Sequence, residues 1–237
     1  RATYSTNYQK WTSDNRAGLL ERIAYVLVDP GRTEFWVPKL GYAIEKGILR
    51  KMLAAEPAVR QYVEANVHRI YYRTTGGLYW KVFTPFAPMF KLDGKIGHSS
   101  RETSFGVRDK STVNPLIGAL SSNTFWWWYT VTSNLRDLNP YDVYNFRVPE
   151  SALQDPKVVR ASIKYSKDID HNSTMLVRLQ KQTGRTETQS FRIQLSKPII
   201  DEIDHALAVH YGFTDEELDF IINYDIKYRM GRDEEED

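Results

Sequence analysis

Residues 69–83 run Arg69-Ile70-Tyr71-Tyr72-Arg73-Thr74-Thr75-Gly76-Gly77-Leu78-Tyr79-Trp80-Lys81-Val82-Phe83. Two aromatic and β-branched runs, 69–73 and 78–83, flank the glycine pair. The pattern predicts two strands joined by a tight turn, because glycine tolerates the positive φ that hairpin turns require. A third strand is expected at Thr103–Val107, and Pro85, Pro88, Gly94 and Gly97 mark the stretch before it as loop. Lys91, Lys95 and His98 make that loop basic and able to reach a ligand. On the N-terminal side, Ile44, Ile48, Leu49, Met52 and Leu53, then Val59, Tyr62 and Val63, recur at helical spacing. With Pro57 in a first turn, two helices are expected between Leu40 and Val67.

On the C-terminal side, helical spacing returns at Val113–Val131. If that helix is unbroken at Asn123, Ile117, Leu120, Thr124, Trp127, Trp128 and Val131 share one stripe while Trp126 points nearly opposite. A helix carrying three consecutive tryptophans is sandwiched in a core, or shows one ring to a partner; the first is expected. Asp155–Gln180 reads as a long polar helix or helix pair, followed by a turn at Thr183-Gly184 and a strand at Ser190–Leu195. Pro198 opens a helix with Ile199, Ile203 and Leu207 on one face, closed by Gly212. Thr214-Asp215-Glu216-Glu217 is a capping box that opens a helix over Leu218–Tyr228. The fold class is α+β, with mixed helices and short antiparallel strands. The expected divisions are a linker or interdomain segment at 1–39, a core at 40–150, a helical part with a short strand at 151–230, and an acidic disordered tail at 231–237.

The 237 residues are 41% hydrophobic and 26% charged, enough for a well-cored domain. The chain contains no cysteine, which excludes a disulfide framework, a Cys-ligated zinc and a thiol nucleophile, and fits a cytoplasmic setting. No apolar run approaches the roughly 20 residues of a membrane span. The opening Arg1, where a Met would begin a protein, is read as the start of a fragment. The net charge of +2 is unevenly spread. From Thr214 onward ten acids face Lys227, Arg229 and Arg232, so the remainder holds 29 bases against 20 acids, a surplus of nine. Such a surplus suits a polyanion partner, and equally a solvated mixed-charge surface.

Signatures of catalysis are missing: there is no P-loop, GxGxxG, HExxH or GxSxG. His68, His98, His171, His205 and His210 show no metal spacing, so surface or core roles are expected and no metal site. Asn139-Pro140-Tyr141 is one proline short of the tetrad that holds a flipped adenine, and is read as a helix start with Pro140 in first position. Asp225-Ile226-Lys227 is half of a D-x-K nuclease site, set in an expected helix. What remains is a binding composition, bases interleaved with aromatics and short polar groups over 69–108 and 129–147, although Arg73–Gly77 is equally a plain hairpin turn.

The order of several segments carries a resemblance. Ile70–Trp80 is followed by Ser99-Ser100-Arg101-Glu102-Thr103, then Ala119-Leu120-Ser121-Ser122-Asn123-Thr124-Phe125-Trp126-Trp127-Trp128 and Arg136-Asp137-Leu138. Asp204–Leu207, Tyr211–Thr214 and Ile221–Arg229 complete the series. Over roughly 40–230 the chain resembles the C-terminal target-recognition region, a TaqI-like specificity domain, of type IIG restriction-modification enzymes and N6-adenine DNA methyltransferases. The resemblance implies sequence-specific recognition of double-stranded DNA, with no cofactor in this chain. S-adenosylmethionine, with Mg where the enzyme also cleaves, would belong to an N-terminal methyltransferase part that is the chain's protein partner. Charge, turn position and the resemblance together nominate Arg73, Thr74, Thr75, Lys91, Lys95, Ser99, Ser100, Arg101, Asn134 and Arg136 as DNA contacts, with Arg73 and Arg101 expected to read base edges. A protein-docking module and a small divergent nuclease are the rival expectations.

Overall fold

The computed structural model describes residues 2–9, 16–28, 36–75, 80–180 and 184–230. The N-terminal stretch is packed against the rest. Strands β1 (Thr3–Ser5) and β2 (Val26–Val28) pair antiparallel, and Val26 and Val28 enter the core. Leu40 N donates to Ser5 Oγ at 3.1 Å and Lys39 N to Val131 O at 3.0 Å. Helix α1 (Glu45–Ala54) buries Ile48, Leu49 and Met52 at the expected spacing. Its Glu45 is buried too, because its carboxylate accepts from Gly41 N, Tyr42 N and Trp127 Nε1.

The second helix expected before Val67 does not form. A cis Glu56-Pro57 bond and a short 3-10 turn at Val59–Gln61 lead into β3 (Val63–Arg73). Distant partners take this segment instead, Val59 N donating to Phe146 O at 2.8 Å, Tyr62 O accepting from Arg108 N at 3.2 Å and Val63 pairing with Val107, so the helical spacing of Val59, Tyr62 and Val63 is overridden. Strand β4 is only Phe83–Thr84, opposite Tyr72 and Tyr71, and residues 80–82 are not strand as expected; the Gly76-Gly77 turn lies outside the described residues. The stretch expected to be loop contains a hairpin, β5 (Phe90–Leu92) and β6 (Lys95–Ile96), turned by Asp93 and Gly94 at positive φ. Strand β7 (Glu102–Val107) completes an antiparallel sheet of order β4-β3-β7.

Helix α2 (Val113–Ser121) is apolar all round and lies between β3 and β4 on one side and later helices on the other. The chain breaks at Ser122, whose Oγ accepts from Phe125 N at 3.0 Å and so opens α3 (Asn123–Thr132). Trp126, Trp127 and Trp128 are each at most 3% exposed, so α3 is sandwiched and shows no ring to a partner. Helices α4 (Pro140–Tyr144), α5 (Glu150–Gln154) and α6 (Pro156–His171) follow. A Cβ on Gly118 would lie 2.0 Å from Ser162 Oγ, so glycine is what lets α2 and α6 cross this closely.

The polar stretch through Gln180 divides. Its helix ends at His171, and Ser173–Gln180 is strand β8, paired along its length with β9 (Gly184–Phe191). The strand expected at Ser190–Leu195 is thus displaced, and Ile193–Ser196 is a 3-10 turn. The second sheet has the order β6-β5-β9-β8, with the long strand β8 at an edge. Helix α7 (Lys197–Tyr211) closes at Gly212, which takes φ 67° as a left-handed cap. Thr214 and Glu217 form the expected capping box of α8 (Asp215–Asn223), Thr214 Oγ1 accepting from Glu217 N and Glu217 Oε2 from Thr214 N. The helix expected through Tyr228 is interrupted at Asp225, φ 57°, before α9 (Ile226–Arg229). The acidic run 231–237 lies outside the described residues. Helices on the sheet β4-β3-β7, with a second antiparallel sheet beside them, make an α+β fold; no described helix is long and apolar enough to cross a membrane.

Candidate nucleic-acid interface

Three chain segments meet where β3 ends and β7 begins. Thr74 N and Thr74 Oγ1 both donate to Arg101 O, at 2.9 and 3.1 Å, and Thr74 O accepts from Leu138 N at 2.7 Å. The end of β3, the turn 97–102 and the loop 133–139 are thereby tied together. The loop is held from beneath: Tyr129 Oη donates to Asp137 O at 3.2 Å, and Lys39 Nζ donates to Ser133 O. Asp142, buried at the start of α4, accepts from Asn139 N at 2.9 Å and from Asn139 Nδ2 at 3.3 Å. Burial raises the Asp142 pKa against those hydrogen bonds and against Lys39 and Lys81. Lys81 lies 4.7 Å from the centre of the Tyr129 ring, and burial lowers its pKa to about 8, with Asp137 and Asp142 opposing.

The nominated residues divide into those brought together and those not. Arg73 is the last residue of β3, opposite Glu102, and is half-buried. Its Nε and the Thr75 Oγ1 are buried with no hydrogen-bond partner among the described residues. Burial lowers the Arg73 pKa, Arg101 and Arg178 push the same way, and Glu102 opposes them. Ser99 Oγ accepts from Arg101 N at 3.3 Å, which shapes the turn and leaves Ser100 and Arg101 exposed. Asn134 Oδ1 accepts from Arg136 N at 3.0 Å, and the exposed Arg136 has its Nε 3.7 Å from Asp137 Oδ2. Thr74 is spent on its neighbours and acts as the tie between segments.

Lys91 and Lys95 stand apart from this group, on the second sheet. Lys91 pairs with Ile96 and Leu92 with Lys95, and adjacent pairs in a ladder face opposite sides, so the two lysines point to different faces. Lys91 lies 4.0 Å from Glu187. Lys95 shares a cross-strand row with Leu92, Thr186 and Arg178. Arg178, which the sequence did not nominate, lies exposed in that row on the edge strand β8.

The other fragments find structural places. Asn139 begins α4 with its amide hydrogens turned to Asp142, as a helix start would have them, and Tyr141 is exposed. Asp225 is a left-handed residue between α8 and α9. His210 ties three helices: Nδ1 meets Ser151 Oγ at 3.0 Å and Nε2 meets Asp155 Oδ2 at 2.9 Å, while Asp155 Oδ1 caps α6 through Lys157 N. Among the described residues no group of three or more histidine, aspartate or glutamate side chains is placed to hold a metal ion. Comparison with protein-family models, curated proteins and solved structures gave no match to the chain.

Proposed function

We propose that the chain is the part of an N6-adenine DNA methyltransferase or type IIG restriction-modification enzyme that recognises a specific double-stranded DNA sequence, with a TaqI-like specificity fold. Methyl transfer from S-adenosylmethionine, and Mg-dependent cleavage where the enzyme also restricts, would be carried by a separate N-terminal part. The observation that supports this reading is that the end of β3, the turn 97–102 and the loop 133–139, which carries Asn134 and Arg136, are tied together at one end of a sheet by hydrogen bonds of Thr74 to Arg101 and Leu138. Loops held on a rigid sheet are how a protein presents base-reading side chains to a groove. Ser100, Asn134 and Arg136, and Lys95 farther along, have side chains exposed to read base edges.

The test is retention of a randomised duplex pool by the purified chain over a salt series, with sequencing of what is retained. A motif of a few base pairs should be enriched, and Arg136→Ala should relax one of its positions at a cost of about 1–3 kcal/mol. Absence of retention at low salt would refute DNA recognition by this chain. A second reading, docking of a neighbouring domain, is favoured by one observation. Met175, Val177 and Leu179 of β8 share a face with Ile96, and all four are exposed, Leu179 by 84% and Ile96 by 81%. Val177→Glu should then weaken association with the methyltransferase part and leave DNA retention intact.

A further inference from the structure

We propose that a second copy of this chain pairs with the outer side of β8, antiparallel and across a two-fold axis at Val177, so that two four-stranded sheets become one. The proposal is independent of what the chain binds. It starts from an edge left open. Strand β8 lies at the end of the order β6-β5-β9-β8, so along residues 173–180 a row of backbone N–H and C=O groups faces away from β9, and no described segment pairs with it. Native edge strands are commonly guarded by shortness, proline, charge or a bulge. The opposite edge, β6, is two residues long. Strand β8 runs for eight residues in unbroken register, contains no proline, and carries one charged side chain, Arg178.

Met175, Val177 and Leu179 are exposed on one face, yet their neighbours on β9 across that face are Gln189, Glu187 and Arg185. Ile96, exposed on the same face, stands at the far edge, beyond Glu187 and Lys91. The apolar side chains are thus confined to the rims of the sheet, where a strand set beside β8 covers its row and a domain laid over the face would meet charge. The row on β8 is also its own complement. Residues directly opposite in an antiparallel pair share a face, so a two-fold axis between two such strands must pass at a residue and not between residues. With Val177 there, it meets Val177 of the second copy and each Met175 meets a Leu179, so all six apolar side chains are matched. On the other face each Leu176 meets an Arg178, which can lay its aliphatic stem along it. An axis at Arg178 would set like charges opposite each other, and one at Leu176 would leave Leu179 opposite Ser173. The contact uses the same patch on both copies and closes at two.

Sedimentation equilibrium of the purified chain over a concentration series at low salt tests this. A contact of one strand and one row of side chains is small, and small interfaces are weak, so the mass should rise with concentration from 27.6 kDa toward twice that value. Val177→Lys sets like charges opposite each other on the axis and should stay monomeric. The position is exposed, so the far-UV circular dichroism of this variant should match that of wild type. Two double variants test the register. Met175→Glu with Leu179→Lys places opposite charges across the axis, and should dimerise about tenfold more tightly than Met175→Lys with Leu179→Lys, which places like charges there. Within one copy the two positions are four residues apart, roughly 13 Å along a strand, so the introduced charges cannot pair internally. A wild-type mass that stays at 27.6 kDa at every concentration overturns the proposal. Dimerisation of Val177→Lys equal to that of wild type puts the contact elsewhere and overturns it as well, and equal behaviour of the two double variants refutes the axis at Val177. Retention of DNA, present or absent, moves none of these readouts.

Discussion

Asp204 of α7 is buried and receives four hydrogen bonds from the first turn of α3. Oδ2 accepts from Asn123 N at 2.9 Å and Asn123 Nδ2 at 2.7 Å, and Oδ1 from Thr124 N at 2.9 Å and Thr124 Oγ1 at 2.6 Å. A carboxylate at this place also faces the positive end of the helix. In Asp204→Ala, Asn123 Nδ2 keeps Asp201 as partner, at 2.8 Å, but two backbone N–H groups and one hydroxyl are left without acceptors. Each buried orphan costs about 1–3 kcal/mol, and because the three share one network the sum is not additive. A loss of about 3–5 kcal/mol is expected, toward the low end of the sum of three such orphans. Asp204→Asn keeps the shape and one acceptor oxygen and should lose roughly half as much. Urea unfolding at neutral pH, followed by far-UV circular dichroism, measures both. Burial raises the Asp204 pKa in spite of its hydrogen bonds. An acid whose folded pKa exceeds its unfolded one contributes most below the unfolded value, near 3.9, and that contribution is lost as pH rises through the folded value. The advantage of wild type over Asp204→Asn should therefore shrink as pH rises from about 4. A loss under about 1 kcal/mol in Asp204→Ala, within what surface changes produce, would refute the account of α3 as anchored by α7.

Gly118→Ala should destabilise by about 1–3 kcal/mol through overpacking against Ser162, and the double variant Gly118→Ala with Ser162→Gly should recover part of the loss in thermal unfolding; a neutral single variant would show that α2 and α6 are not this close. Asp155 has its pKa lowered by the Lys157 backbone N–H and then by His210, so its contribution is present above the unfolded carboxylate value and lost as pH falls through the lower folded one. Asp155→Ala should cost about 1 kcal/mol at neutral pH and less as pH falls below the ordinary carboxylate range, a gap read from urea curves at two pH values. Lys81, with a folded pKa of about 8 against an unfolded one near 10.4, opposes folding most when charged. Stability should therefore rise between about pH 8 and 10 in wild type relative to Lys81→Met, and parallel pH curves would sink that placement.

The parts of the fold that the chain announces are those decided locally. Gly212 and the Thr214–Glu217 box set the boundary of α7 and α8 through groups within a few residues of one another, and the strands at 69–73 and 103–107 carry their own aromatic and β-branched signal. Segments decided by distant partners did not show. Val59, Tyr62 and Val63 sit at helical spacing, yet Val63 pairs with Val107 far along the chain. The run 174–179 exposes residues on both faces, so it has none of the alternation that marks a strand with one buried side. That is why Arg178 escaped notice and why Lys91 and Lys95, expected together on a loop, stand on opposite faces of a hairpin. The segments 73–75 and 99–101 were legible because turn residues and bases coincide there. Their mutual contact, through one carbonyl of Arg101, was not.

The burial of Trp80, Trp126, Trp127 and Trp128 has an optical consequence. Their indoles are shielded from water, so they should resist quenching by iodide while the core is intact. None of them is offered to solvent at the loops 99–101 or 134–136, so a duplex settling on those loops would leave this emission almost unchanged. These four rings thus report the integrity of the interior and not a ligand on those loops, whereas Trp36 is only partly buried and Trp11 lies outside the described residues. A report of occupancy would come from a thiol-reactive fluorophore on a single cysteine introduced at Ser100, since the natural sequence has no other thiol to compete for it.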